Sequence, residues 1–201
     1  MKIIDISNDL LTAEVFEGDP VPEHRWVKKI SDESYYNLSE INACLHNGTH
    51  VDAPLHFLSG GEGVEGLDLE KFIGPCRVIE VSPGIITGQL VEDSFPRDCK
   101  RLLIKSKGKA YIHQTAAEIM SYLGYELVGT DGTTVESPES DGVTHRTLLN
   151  SDIAILEGLN LSEVSNGGYF LIAPPVKICG AEASFSRALL IADYIFWSKK
   201  D

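Results

Sequence analysis

Paired cysteines, long apolar runs and surplus positive charge are all missing from this chain, and each absence removes a class of protein. The four cysteines, Cys44, Cys76, Cys99 and Cys179, are widely scattered with no CxxC pair. That spacing excludes a zinc ribbon or a dithiol redox centre and predicts reduced core thiols. No apolar run approaches the roughly 20 residues that span a bilayer, and the N-terminal MKIIDISNDL meets a charge at Asp5, too early for a signal peptide. Cytoplasmic residence is the expectation, so the sequons at Asn37, Asn47 and Asn160 carry no glycosylation meaning. Against 17 basic residues stand 30 acidic ones, a formal charge of −13, which repels phosphate backbones and anionic lipid. The basic clusters Lys28-Lys29 and Lys105 to Lys109 are too small to override that field, so neither nucleic acid nor membrane is an expected partner. Also absent are a GxSxG elbow, a GxxxxGK[ST] loop and a GxGxxG fingerprint, which removes the common serine-hydrolase and nucleotide-binding signatures.

What is present is an ordinary globular composition. With 201 residues, 43% of them hydrophobic, the chain can bury a substantial core, and no repeat or low-complexity linker divides it, so one domain over residues 1–201 is expected. Short stretches rich in branched or aromatic residues predict strands at Lys2 to Ile6, Trp26 to Ile30, Arg77 to Val81, Arg101 to Ile104, Leu127 to Thr130, Ile153 to Leu156 and Tyr169 to Ile172. The clearest helix is Gln114 to Leu123, with Ala116, Ile119, Met120 and Leu123 on one stripe and Gly124 as its stop. Leu67 to Phe72 and His145 to Asn150 are shorter helical candidates. The mixture predicts an α/β protein built on a mixed sheet.

Chemistry concentrates in HNGTHVDAPLH, residues 46–56, which holds three of the six histidines. As a helix it would align His46 with His50 but carry Asp52 and His56 away, and Gly48, Thr49, Val51 and Pro54 all oppose helix. As an extended segment it has His46, His50, Asp52 and His56 at even spacing, so all four side chains are aimed to one side, with Gly48 allowing a local bend. Imidazole and carboxylate are ligands for Zn²⁺, Mn²⁺ and Fe²⁺, and two histidines with one aspartate leave coordination positions open. The alternative is a hydrogen-bonded turn capped by Asp52, which would need none of the three imidazoles. A second pair lies downstream, where the strand ending at Leu156 runs into Glu157, whose carboxylate is costly to bury unless paired or bound to a cation. His145 stands twelve residues earlier, at the start of a short helix. By itself that pair reads equally as a surface glutamate and a capping histidine.

The central segment matches every fixed position of HxGTHxDxPxH, and the chain resembles the cyclase-type family of metal-dependent hydrolases, which includes bacterial kynurenine formamidases and isatin hydrolases. IIDIS near the start, GDP at residues 18–20, GTDGTTVE at residues 129–136 and the His145 and Glu157 pair ahead of LNL extend the likeness along most of the chain. The resemblance implies that His46, His50 and Asp52 bind metal, that His145 and Glu157 complete a second position, and that Asp52 can bridge two ions. It implies Zn²⁺ or Mn²⁺, one or two ions per subunit, and His56 as the catalytic histidine. It also implies a swivelling β/β/α barrel-like fold assembled into a homodimer or homotetramer.

A metal held by His and Asp polarises a carbonyl and lowers the pKa of bound water toward ~7. C–N cleavage then needs a proton for the departing nitrogen, which His56 can carry, unless it only orients a ligand. These expectations describe a hydrolase for a small-molecule amide, with an aryl formamide leading and an isatin-type cyclic amide next. The rival from another class is a non-catalytic protein that binds metal or a small ligand. Phe16, Trp26, Tyr35, Tyr36 and Phe57 are candidates for an aromatic pocket, Phe16 and Phe57 foremost. In kynurenine formamidases a tryptophan in a proline-rich stretch commonly precedes the GD dipeptide, whereas here the segment reads AEVFEGD. SGGEGVEG, residues 59–66, is either a lid over the site or an inert surface connection.

Overall fold

Leu102, Leu103 and Ile104 are consecutive and all fully buried, which an extended strand allows only if both of its faces are covered. The computed structural model, which describes residues 1–193, supplies that cover. In chain order the elements are β1 (Lys2–Asp5), β2 (Glu23–Lys28), β3 (Leu38–Asn42), β4 (His50–Asp52), β5 (Ile73–Glu80), β6 (Gly84–Ile86), α1 (Gly88–Ser94), β7 (Arg101–Lys105), β8 (Ala110–Ile112), α2 (Gln114–Tyr122), β9 (Leu127–Thr130), α3 (Val143–Asn150), β10 (Ala154–Glu157), β11 (Gly167–Ile172), β12 (Ala183–Phe185) and β13 (Leu189–Ala192).

Nine strands form one mixed sheet in the order β1-β13-β11-β5-β7-β9-β10-β4-β12. Its centre, β5-β7-β9-β10, is parallel, and every outer pairing is antiparallel. Alternation along the central strands divides the apolar residues between two cores. Leu102, Ile104, Val128 and Ile155 meet Val91 of α1, Ala116, Ala117 and Met120 of α2, and Leu148 and Leu149 of α3. Leu103, Leu127 and Leu156 point the other way, where they meet Val51 from one wing of the sheet and Leu171 and Leu190 from the other. Wings that share a cluster with the centre require the sheet to curl into a half-barrel. Each large aliphatic side chain buried this way is worth about 1.5–3 kcal/mol.

The expected α/β class with a mixed sheet is therefore observed, with corrections to its parts. Strand β2 starts three residues before the predicted Trp26 and pairs only with β3 in a separate two-stranded ribbon. Leu67 to Phe72 is not an α-helix: only Leu69–Phe72 winds, as a 3₁₀ turn capped by Asp68. Strands β3, β4, β6, β8, β12 and β13 and helix α1 were not anticipated, most being three to five residues long and defined by their pairing partners. All four cysteines are unpaired, but only Cys76 is a buried thiol, and Cys179 is exposed. Residues 59–66 are fastened to the body of the fold, and none of them stands in the wall of the cavity described below. Val64 is buried with Ala53 and Ala181, Val64 N–H donates to the Ala181 carbonyl, and Glu62 accepts from Leu55 N–H.

Candidate metal centre

Strand β4 is three residues long and lies between β10 and β12, with His50 opposite Glu157 and Asp52 opposite Ile155. Val51 enters the core inside the half-barrel. Period-two geometry then sends His50, Asp52 and Glu157 to the helix-covered face, the side that Ile155 also occupies. His46 arrives from the turn before β4, where Gly48 adopts φ +64°, and His56 from a 3₁₀ turn that begins at Pro54. The even spacing thus brings the four side chains together, although only His50–Asp52 is regular strand. Gly158, at φ +66°, lies so close to Gly48 that an added Cβ would stand 2.2 Å from the Gly48 carbonyl oxygen. Thr49 and Asn8 close the same corner, both donating to the Gly158 carbonyl.

Two groups of donors converge, His46 with His50 and Asp52, and Asp52 with His145 and Glu157. Asp52 Oδ1 is 3.1 Å from His46 Nδ1 and 3.6 Å from His50 Nε2, while its Oδ2 is 3.8 Å from His145 Nε2. Glu157 reaches both groups, with Oε2 3.4 Å from His50 Nε2 and Oε1 3.4 Å from His145 Nε2. His145 is carried by α3 and buried rather than an exposed cap, and Glu157 is buried as well.

His50 Nδ1 donates to the Gly48 carbonyl at 3.0 Å, which leaves Nε2 facing the cluster. His145 Nδ1 is held at 2.6 Å by Glu136, whose carboxylate also accepts from the backbone N–H groups of Thr144 and His145 and from the Ser140 hydroxyl. Orienting partners of this kind fix which imidazole nitrogen is presented to a metal. Sequence reasoning missed Glu136, and its one sequence signal was its place at the end of GTDGTTVE.

Whether this set fits a cation is decided by its unsatisfied atoms. Among the described residues, His50 Nε2 and both Asp52 carboxylate oxygens are buried with no hydrogen-bond partner, an arrangement that costs several kcal/mol unless something else meets them. All are hard or borderline donors, and a divalent cation is the group that satisfies them together. The electrostatics agree. Burial disfavours charge on His50, yet Glu157 and Asp52 push its pKa up to about 9. Against the same penalty, Glu136 and Glu157 push His145 up to about 10. Against its own burial, Glu157 is held well below the usual carboxylate range by His145 and His50. Left without a cation, the carboxylates would recruit protons onto the histidines in its place.

A cavity of about 260 Å³ opens onto the cluster, and Phe16, Asp19, His46, His56, Phe57 and His145 stand in its wall. The Phe57 ring stacks on His145 with centroids 4.4 Å apart, and His56 lies 4.2 Å from His46. Burial lowers the His56 pKa, with His46 and His145 adding to the effect and Asp52 opposing it, so His56 is a neutral imidazole near pH 7. Phe16 and Phe57 both stand in the wall of the cavity. Trp26, Tyr35 and Tyr36 do not, being exposed on or beside the β2–β3 ribbon.

Residues 4–137 match the family model "Putative cyclase". The chain belongs to the cyclase family. Among relatives, a kynurenine formamidase of Bordetella avium (strain 197N) is 34% identical over 94% of this chain and 97% of its own. A kynurenine formamidase of Salinibacter ruber matches at the same identity and coverage. A solved structure described as a potential metal-dependent hydrolase with cyclase activity superposes with a TM-score of 0.82 at 28% identity, covering 94% of this chain and 96% of that one. An isatin hydrolase bound to the product analogue thioisatinate shares the cyclase fold, with a TM-score of 0.81 at 18% identity over 94% of this chain and 91% of its own.

Proposed function

We propose that this protein is a metal-dependent amidohydrolase that cleaves the C–N bond of an aryl formamide, with N-formylkynurenine as the leading substrate. The observation that carries the reading is the pair of donor groups sharing Asp52, set with neutral His56 in the wall of a cavity that also presents Phe16 and Phe57. The full-length kynurenine formamidase relatives support the substrate. His46, His50 and Asp52 would hold one Zn²⁺ or Mn²⁺, and Asp52, His145 and Glu157 a second. A divalent cation in that place polarises a carbonyl oxygen and makes water acidic enough to attack at neutral pH.

The residues of the chain do the rest. His56 accepts the proton that the attacking water loses and returns it to the departing aryl nitrogen, a relay that needs an imidazole neutral at working pH. Phe16 and Phe57 flank the aromatic ring of the substrate. Thr133, Thr134 and Ser137, also in the cavity wall, offer hydroxyls to its polar substituents. No helix among the described residues is long and apolar enough to cross a membrane, and four unpaired cysteines support a reducing, cytoplasmic setting.

The test is hydrolysis of N-formylkynurenine with Zn²⁺ and Mn²⁺ supplied separately beside a chelated control. A metal-dependent kcat/KM above ~10⁴ M⁻¹s⁻¹ is expected, and a negligible rate in metal-loaded protein removes this substrate. His56→Ala should lower kcat by ~10²–10⁴ while bound metal, measured by elemental analysis, stays constant. Equal loss of metal would instead make His56 a ligand.

A further inference from the structure

Of the three histidines that face the metal centre, two have their outer nitrogen engaged: His50 Nδ1 donates to the Gly48 carbonyl, and His145 Nδ1 is held by Glu136. His46 differs. Its Nδ1 lies 3.1 Å from Asp52 Oδ1, yet that oxygen has no hydrogen-bond partner, an approach that a shared cation explains and a hydrogen bond does not. The Nε2 of the same ring is buried and also without a partner. Facing it is Glu182, with Oε1 3.6 Å away. Glu182 stands immediately before β12, where its carbonyl accepts from Ala53 N–H at 2.8 Å and the next residue, Ala183, pairs with Asp52. The backbone beneath its carboxylate is therefore fixed against the strand that carries the donors.

We propose that Glu182 is the positioning residue of His46, accepting a hydrogen bond from its Nε2–H so that this ring binds metal through Nδ1 while His50 and His145 bind through Nε2. The inference rests on the reading of His46, His50 and Asp52 as metal ligands. A neutral imidazole that gives one nitrogen to a metal keeps its proton on the other, so metal on Nδ1 leaves a buried N–H on Nε2 in need of an acceptor. A side chain 41% exposed would be an ordinary surface acid, were that buried nitrogen not beneath it. Closing 3.6 Å to hydrogen-bond distance needs only a small turn of the carboxylate. A charged acceptor there holds the ring plane and makes the metal-facing nitrogen a better donor. Glu182 is not in the cavity wall, so its effect on the reaction passes through His46. The His46 ring also lies against His56, with centroids 4.2 Å apart and planes inclined by 33°, so an anchored His46 gives the neutral His56 a fixed surface to rest on.

Nitrogen NMR of the full chain, with labelled histidines and Zn²⁺ bound, tests the assignment without any substrate. Of the three metal-bound rings, one should carry its proton on Nε2 and two on Nδ1, and the odd ring should be the one whose signal moves in Glu182→Gln. Titration calorimetry supplies the second readout. Glu182→Ala should weaken Zn²⁺ binding about 10–100-fold, and Glu182→Gln, which keeps an acceptor oxygen, should recover part of that loss. The Tm of chelated Glu182→Ala should not fall, because the variant removes one carboxylate from an acidic site and no apolar contact. Three rings all metallated through Nε2, Zn²⁺ affinity unchanged in Glu182→Ala, or a chelated Tm that falls in step with affinity would each overturn the role of Glu182 and leave the metal centre standing. A wild type that takes up no Zn²⁺ would overturn the metal centre and this inference together.

Discussion

Glu136 governs which nitrogen His145 presents, and it does so while buried. Burial raises its pKa, but His145, Ser140 and the backbone amides of Thr144 and His145 together pull it down to about 2. A carboxyl whose folded pKa lies below its unfolded value, about 4.3, adds stability that is fully present above pH 5 and drains away as the pH falls toward 2. Metal-free protein should therefore lose up to about 3 kcal/mol across that window, and Glu136→Gln should flatten the loss in urea melts at stepped pH. The same variant should weaken metal affinity about 10–100-fold, the usual effect of removing an orienting partner. His50 and His145 make the complementary prediction. Their pKa values are raised to about 9 and 10, so at pH 7 both carry protons that a cation must displace. Calorimetry in buffers of different ionisation enthalpy should show close to one proton released per ion bound, two per chain when both positions fill, with affinity falling as the pH drops below about 9. An uptake of metal with no proton release would refute the ligand assignment.

At the level of elements, the site is a corner where three chain reversals meet. The three residues of β4 would be no strand at all without β10 and β12 beside them, which is why the extended reading of residues 46–56 found the convergence but not the pairing. Gly158 keeps that corner closed. Gly158→Ala puts a methyl against the Gly48 carbonyl and an L-residue at φ +66°, which costs about 1–2 kcal/mol for the backbone alone. It must also push the His46 turn away from Glu157. The expected result is a lower Tm together with a loss of metal affinity that exceeds the loss of stability. A fall in Tm with metal affinity intact would show that the corner does not set the donor geometry. Helix α2 is the opposite case. Its apolar stripe and the glycine after its end were legible because helix signals are local, and the observed Gln114–Tyr122 differs by one residue.

On the scale of the whole molecule, the sheet joins the two ends of the described chain, since β1 pairs with β13, and the metal cluster sits where one wing of that sheet curls back. A cation that binds only the folded state stabilises it by about 2.7 kcal/mol at a hundredfold excess over Kd. At roughly 2–4 °C per kcal/mol for a chain of this size, chelation should lower the Tm by about 5–10 °C, and calorimetry with and without chelator measures it. An unchanged Tm would mean that the buried donors are satisfied without metal.

The sequence by itself determined the chemistry of the donors and much of the class of fold. HNGTHVDAPLH carries four side chains at even spacing, and apolar stretches such as Leu127 to Thr130 become strands wherever both faces are buried. What only the tertiary structure decided are the relations between distant segments. Glu157 becomes an acidic neighbour of His50 because β10 pairs with β4, and Glu136 becomes the partner of His145 because residues 137–142 fold back to the start of α3. Trp26 is equally aromatic in a pocket or on a free ribbon, and only packing placed it outside. Local patterns report which face a side chain takes, whereas long-range pairing decides what that face meets.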